Sequence, residues 1–151
     1  MPTEEKPKVR GGVGVMLYRD GKILLGLRHS DPAKAQSSLR GEGTWTMPGG
    51  KLEFGETIEE GAKREVLEET GIILNEVKVM CVNTEKNEHA HYITAGTYCD
   101  NFTGEAQLKE PEEIVDWQWF SLDNLPSPIF PSSEHMLVNY KNKVFYTPNL
   151  S

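Results

Sequence analysis

The chain has 151 residues, 37% of them hydrophobic and 26% charged, with 23 acidic against 16 Lys and Arg residues and a net charge of −7. That length supports one domain with a sizeable core, while the charge argues against a duplex DNA or long RNA partner, which needs clustered cations to displace counterions. No apolar run reaches 18 residues, which predicts no membrane partner and a soluble, cytoplasmic protein, and two cysteines, Cys81 and Cys99, are too few for a disulfide scaffold and read as reduced core thiols.

Residues 1–9, with two prolines and four charged side chains, read as a flexible tail, leaving 10–148 as a single domain. Gly12 to Tyr18 and Ile23 to Arg28 are β-rich apolar runs separated by Arg19-Asp20-Gly21-Lys22, a hairpin signal. The polar stretch from Asp31 to Gly43 predicts a long loop, and Thr44 to Met47 a short strand after it. Then Pro48, Gly49, Gly50 and Gly55 mark a tight loop whose backbone can pass close to the neighbouring acidic segment.

That acidic segment is the most informative part of the chain. Residues 50–72 hold seven of the 23 acidic residues, against Lys51, Lys63 and Arg64. Thr57 with Glu60 three residues on forms a capping box, so a helix of about 13 residues should start at Ile58 and end before Gly71. Ile58, Ala62 and Val66 make its apolar stripe, and Leu67 on another side predicts protein around more than one face. Glu65, Glu68 and Glu69 fall within an arc of about 100° beside the stripe. Two carboxylates ~6 Å apart repel by roughly 3 kcal/mol at an effective dielectric of ~20, a penalty that a divalent cation converts into attraction. Oxygen-only donors select Mg²⁺, with Mn²⁺ as its substitute, over zinc. Gly61 is read as clearing space beside Glu65 and Glu68, and Arg64 as bracing Glu68 at i+4.

Further on, Val77 to Val82 and His91 to Cys99 predict two strands around a polar Asn83 to Ala90 turn. Val115 to Phe120 alternates like a half-buried strand, and Ser132 to Lys143 reads as a final helix. Helices interspersed with strands argue for a mixed sheet covered by helices. His89, His91, Trp117 and Trp119 read as strand and core residues, with Trp119 within reach of a ligand pocket.

The spacing of Gly50, Glu56, Arg64, Glu65, Val66, Glu68, Glu69, Gly71 and Ile72 resembles the signature of the Nudix (MutT-like) hydrolases. GVGVMLY, LLGLRHS, MPGGKLEFGET and DWQWFSLDNLP extend the similarity to the family's nucleotide-pool branch. The resemblance implies an α/β/α sandwich with a central mixed sheet and a Mg²⁺-dependent hydrolysis of a nucleoside diphosphate linkage. The leading expectation is a nucleoside triphosphate pyrophosphatase, open to oxidised or non-standard bases; the others are an ADP-ribose or nucleotide-sugar pyrophosphatase and a non-catalytic nucleotide sensor. By the same match Glu65 and Glu69 are metal ligands, Glu68 is ligand or general base, the Gly49 carbonyl is a further ligand, and Glu56 braces the loop. Among the acids of Glu110-Pro111-Glu112-Glu113, Glu112 is the expected late metal ligand, with Glu113 next. Arg28 and Lys51 are expected on phosphate, Gly50 at the turn beside it, and Phe130 against the base. Small relatives are often homodimers, the one protein partner implied.

Overall fold

The computed structural model describes residues 6–31 and 42–148. It contains ten elements in chain order: β1 (Val9–Arg19), β2 (Lys22–Arg28), β3 (Trp45–Thr46), β4 (Gly49–Lys51), α1 (Ile58–Thr70), β5 (Ile73–Lys86), β6 (His91–Thr103), β7 (Ile114–Ser121), α2 (Pro131–Asn142) and β8 (Tyr146–Thr147). The eight strands form one mixed sheet in the order β3-β2-β1-β6-β5-β8, with β4 paired to β1 and β7 to β2. β1 runs parallel to β6 and β5 parallel to β8, and the other pairs are antiparallel. The tail expected over 1–9 falls mostly on residues 1–5, outside the described residues, and Val9 already belongs to β1. The long loop expected from Asp31 to Gly43 likewise lies outside them over 32–41; its stem is closed by Gly43 N donating to His29 O and Arg28 N donating to Thr44 O.

One helix covers each face, and the side chains of β1 divide between them. Val13, Val15 and Leu17 alternate along the strand and pack with Leu24 of β2 against Ala62 and Val66 of α1. Met16 points the other way, joining Ile23, Leu25, Met47 and Cys81 under Met136 of α2. A strand buried on both faces reads as a continuous apolar run, as GVGVMLY does. Cys81 and Cys99 sit in these two opposite cores, both free. No described helix is long and apolar enough to cross a membrane.

The α1 boundaries match the sequence expectation: Thr57 is the N-cap, its hydroxyl accepting from Glu60 N at 3.1 Å, and Gly71 caps the end in the left-handed region at φ 80°. One expectation about α1 is corrected: Leu67 is half exposed, so protein covers the helix on one side. Gly61 clears space for a loop or a ligand to approach, and it is the loop before the helix that does so, since a Cβ there would lie 2.4 Å from Leu52 Cδ2.

Two strands run longer than expected. The hairpin of β5 and β6 closes at Asn87, whose side chain accepts from His89 N and Ala90 N, so residues 83–86 are strand and not turn. Asn83 is fully buried, donating to Asn139 Oδ1 at 2.9 Å. Asn139 in turn donates to Val144 O, and His135 contacts both Glu85 and Thr147, which fastens β8 beside α2. Trp119 stacks on Phe102 with the Arg19 guanidinium 4.4 Å over its ring, so it serves packing at that edge of the sheet and does not border the ligand cavity.

Candidate active site

The elements around β4 converge on a cavity of about 460 Å³. Its floor includes Gly12 and Gly14 of β1, one wall carries Glu65, Glu68 and Glu69 of α1, and the opposite wall is the start of α2. The Pro48 to Gly55 loop makes this approach possible. A Cβ at Gly49 would stand 2.2 Å from Val13 O, and one at Gly50 would stand 2.7 Å from the Glu65 carboxylate. Glycine is required at Gly49 by the main chain of β1 and at Gly50 by the place the Glu65 carboxylate occupies.

Glu69 is the most deeply placed acid, 8% exposed, with its Oε1 accepting from Gly49 N at 3.0 Å. Burial, then the Glu65 carboxylate beside it, push Glu69 well above the ordinary carboxylate range, while the Gly49 N–H pulls the other way. Glu65 also faces inward, and Glu68 lies at the mouth with half its side chain exposed. The two acids whose place beside the apolar stripe predicts an inward orientation, Glu65 and Glu69, are the two that face inward.

Arg64 organises this wall from behind. Its Nη1 donates to Glu65 Oε1 at 3.0 Å and Glu68 Oε2 at 3.3 Å, its Nη2 to Lys51 O at 2.9 Å, and its Nε to Glu56. Bracing of Glu68 is thus the weakest of four tasks. Glu56 also accepts from Glu53 N, and the Arg64 hydrogen bonds hold its carboxyl down at about 2. One guanidinium so ties the loop to the helix and fixes Glu65.

Among the described residues no three acidic, imidazole or thiol side chains converge closely enough to cage a metal by themselves. The donor set still fits a hard cation that takes one or two carboxylates and completes its shell from water and phosphate. Glu65 and Glu69 are the buried like-charged pair that a cation would relieve, and Gly49 adjoins them in the same wall.

The late acids differ from expectation. The backbone turns at Glu110, whose carbonyl accepts from Glu113 N and Ile114 N, and residues three apart on such a turn share a side. Glu110 and Glu113 therefore line the cavity, whereas Glu112, the residue expected there, is exposed and outside it. Burial raises both carboxyls; for Glu113 the Arg28 charge opposes the rise.

Arg28 leaves β2 into the cavity with its guanidinium 4.8 Å from the Phe130 ring centre. Phe130 is 8% exposed, so it packs into the wall and carries Arg28 on one face. Lys51 and Gly50 also line the cavity. His89 and His91 do not. Sequence reasoning missed Thr46, Tyr92, Thr94, Ser132 and Ser133, which line it too; Tyr92 and Thr94 lie on the strand beside the glycines of β1, while Thr46 on β3 and the two serines at the start of α2 carry no sequence signal.

The chain is similar to known proteins in sequence and fold. The NUDIX domain model matches residues 8–140. An ADP-ribose pyrophosphatase of Methanocaldococcus jannaschii is 33% identical over 117 residues, covering 76% of this chain and 63% of that one. An oxidized purine nucleoside triphosphate hydrolase of Danio rerio is 31% identical over 118 residues, covering 74% of this chain and 66% of that one. The chain thus spans just under two thirds of the length of these curated relatives. The crystal structure of a MutT NUDIX hydrolase from Burkholderia pseudomallei superposes with a TM-score of 0.77 at 32% identity, covering 87% of this chain and 97% of that one.

Proposed function

The chain belongs to the NUDIX family, and from that premise we propose that it hydrolyses a nucleoside diphosphate linkage with Mg²⁺, releasing a nucleoside monophosphate and pyrophosphate from a nucleoside triphosphate. The carrying observation is the buried Glu65 and Glu69 pair, held by Gly49 and Arg64 in a cavity that also contains the Arg28 guanidinium. Two carboxyl groups kept side by side in this wall either share a proton or repel, a costly arrangement that a cation would use.

Glu65, Glu69 and the Gly49 carbonyl are the groups that would hold Mg²⁺, which when bound neutralises phosphate charge and acidifies water. The remaining tasks fall to the chain itself. Arg28, stacked on Phe130, presents a fork suited to a phosphate, and Lys51 adds a mobile charge at the rim. Arg64 is a positioning residue that aims Glu65. Glu68 at the mouth and Glu110 across from it are the carboxylates placed to accept the proton of an attacking water. Glu110→Gln and Glu113→Gln are each expected to lower turnover at least tenfold, and Glu112→Gln to stay within threefold of wild type; steady-state rates that reverse this order would move the late acid back to Glu112.

A second reading is hydrolysis of ADP-ribose or a nucleotide sugar, which cuts the same kind of linkage; the M. jannaschii relative is named an ADP-ribose pyrophosphatase. The deciding experiment is a panel of nucleoside triphosphates, oxidised triphosphates, ADP-ribose and nucleotide sugars with Mg²⁺ and product identification. Pyrophosphate as the main product supports the first reading. Turnover confined to ADP-ribose or sugar nucleotides selects the second, and tight binding with no product would make the protein a nucleotide sensor.

A further inference from the structure

The start of α2 is built without the usual cap. Its N-cap residue is Phe130, which has no side-chain oxygen, and no side chain caps the first turn. Phe130 N donates to Trp45 O at 2.8 Å, Pro131 has no N–H, and Glu134 N donates to Phe130 O at 2.9 Å. Ser132 N and Ser133 N are then the first-turn donors with no acceptor among the described residues. The Ser133 hydroxyl cannot serve them, because it accepts from Met47 N at 2.9 Å and contacts Thr46 Oγ1 at 3.2 Å. Both serines line the cavity.

Thr94 supplies a second, independent observation. It is 7% exposed and lines the same cavity, yet its hydroxyl makes no hydrogen bond to any described residue. The neighbouring buried hydroxyls are all engaged: Thr97 donates to Gly14 O, and Thr46 and Ser133 bond each other. The Thr94 hydroxyl is open to the cavity and has no protein partner, and with the two α2 amides in the lining of the same cavity it offers hydrogen bonds that a ligand atom would complete.

We propose that these groups read a carbonyl oxygen of the substrate's base, so that keto bases are favoured over amino bases. This rests on the proposed nucleotide hydrolysis. Backbone N–H groups only donate, so their complement is an acceptor. Guanine O6 and uracil or thymine O4 are acceptors at the edge where adenine N6 and cytosine N4 are donors. Ring nitrogens, ribose oxygens and phosphate oxygens are the other acceptors, but all four nucleotides carry them, so only the exocyclic group separates keto from amino bases, and Arg28 and the Glu65 and Glu69 wall already provide for phosphate. An amino group directed at the α2 amides leaves both sides unpaired, a mismatch that sites built on buried hydrogen bonds reject strongly.

The test is calorimetric binding of the α,β-methylene triphosphates of guanosine, uridine, adenosine and cytidine to the full chain with Mg²⁺. The guanosine and uridine analogues are expected to bind at least tenfold tighter than the other two. Equal affinities would overturn the inference and leave the nucleotide reading standing, whereas no binding by any analogue would overturn both. Thr94→Val is expected to weaken the guanosine analogue three- to tenfold and Thr94→Ser less than twofold. The opposite order, with valine tolerated and serine not, would assign Thr94 to packing and remove it from the site.

Discussion

Glu69→Gln is expected to lower kcat at least a hundredfold at saturating Mg²⁺ while making the metal-free protein more stable, and Glu65→Gln to cost as much activity. A hundredfold corresponds to about 2.7 kcal/mol of transition-state stabilisation, a reasonable loss for one of two buried ligands. Stability moves the other way because the carboxylate is badly placed unless a cation is present. Burial and the neighbouring Glu65 raise Glu69, so the folded state holds a proton that the unfolded chain releases near its ordinary pKa of about 4.3. A group raised in this way stabilises the fold below the unfolded pKa, and that contribution is lost as pH rises toward the folded value. In EDTA, wild-type Tm should therefore decline relative to Glu69→Gln as pH rises from 5 to 8. Glutamine keeps an oxygen for Gly49 N, so the backbone bond survives. The measurements are steady-state rates and thermal melts across pH. Turnover within tenfold of wild type in both variants would remove Glu65 and Glu69 from the metal site.

The same residues show how far the sequence could be read. Helix α1 was legible to the residue because its signals are local: Thr57 and Glu60 cap it, Gly71 ends it, and the apolar stripe has helical spacing. The sheet was legible where both faces are apolar, in β1 and β2, and illegible where polar residues are buried by distant partners. Asn83 looks like a turn residue until Asn139, 56 positions away, takes its amide. β4 is Gly-Gly-Lys, with no side-chain pattern to announce a strand, and it forms because β1 offers Gly12 to Gly14 as a flush partner. The late acid was misjudged for a similar reason. Four consecutive residues offer three glutamates, and only the turn that closes on the Glu110 carbonyl decides that Glu110 and Glu113 face the cavity and Glu112 faces solvent. Leu67 was assigned surroundings that depend on tertiary packing, which helical spacing alone does not contain.

The adjacent glycines of β4 should separate fold from chemistry. A Cβ at Gly49 would press on Val13 O at 2.2 Å and Gly14 Cα at 2.9 Å, both main-chain atoms of β1. Neither can yield without parting β4 from β1, so Gly49→Ala is expected to destabilise the fold by about 1–3 kcal/mol, to lower Tm by roughly 3–10 °C for a domain of this size, and to abolish activity with it. A Cβ at Gly50 meets instead the Glu65 carboxyl group, its carbon and both oxygens at 2.7 Å. That is the free end of a rotatable side chain, which swings aside with little effect on packing. Gly50→Ala should therefore keep Tm within about 2 °C of wild type, since one side-chain torsion takes up the clash while the backbone stays in place, yet lower kcat at least a hundredfold because Glu65 no longer points beside Glu69. Gly50→Ala retaining wild-type turnover within threefold would show that the position of Glu65 does not matter to the reaction. A large fall in Tm for Gly50→Ala would show that the Glu65 side chain is held too firmly to move, and that Arg64, which grips it from behind, fixes the site as rigidly as the backbone does.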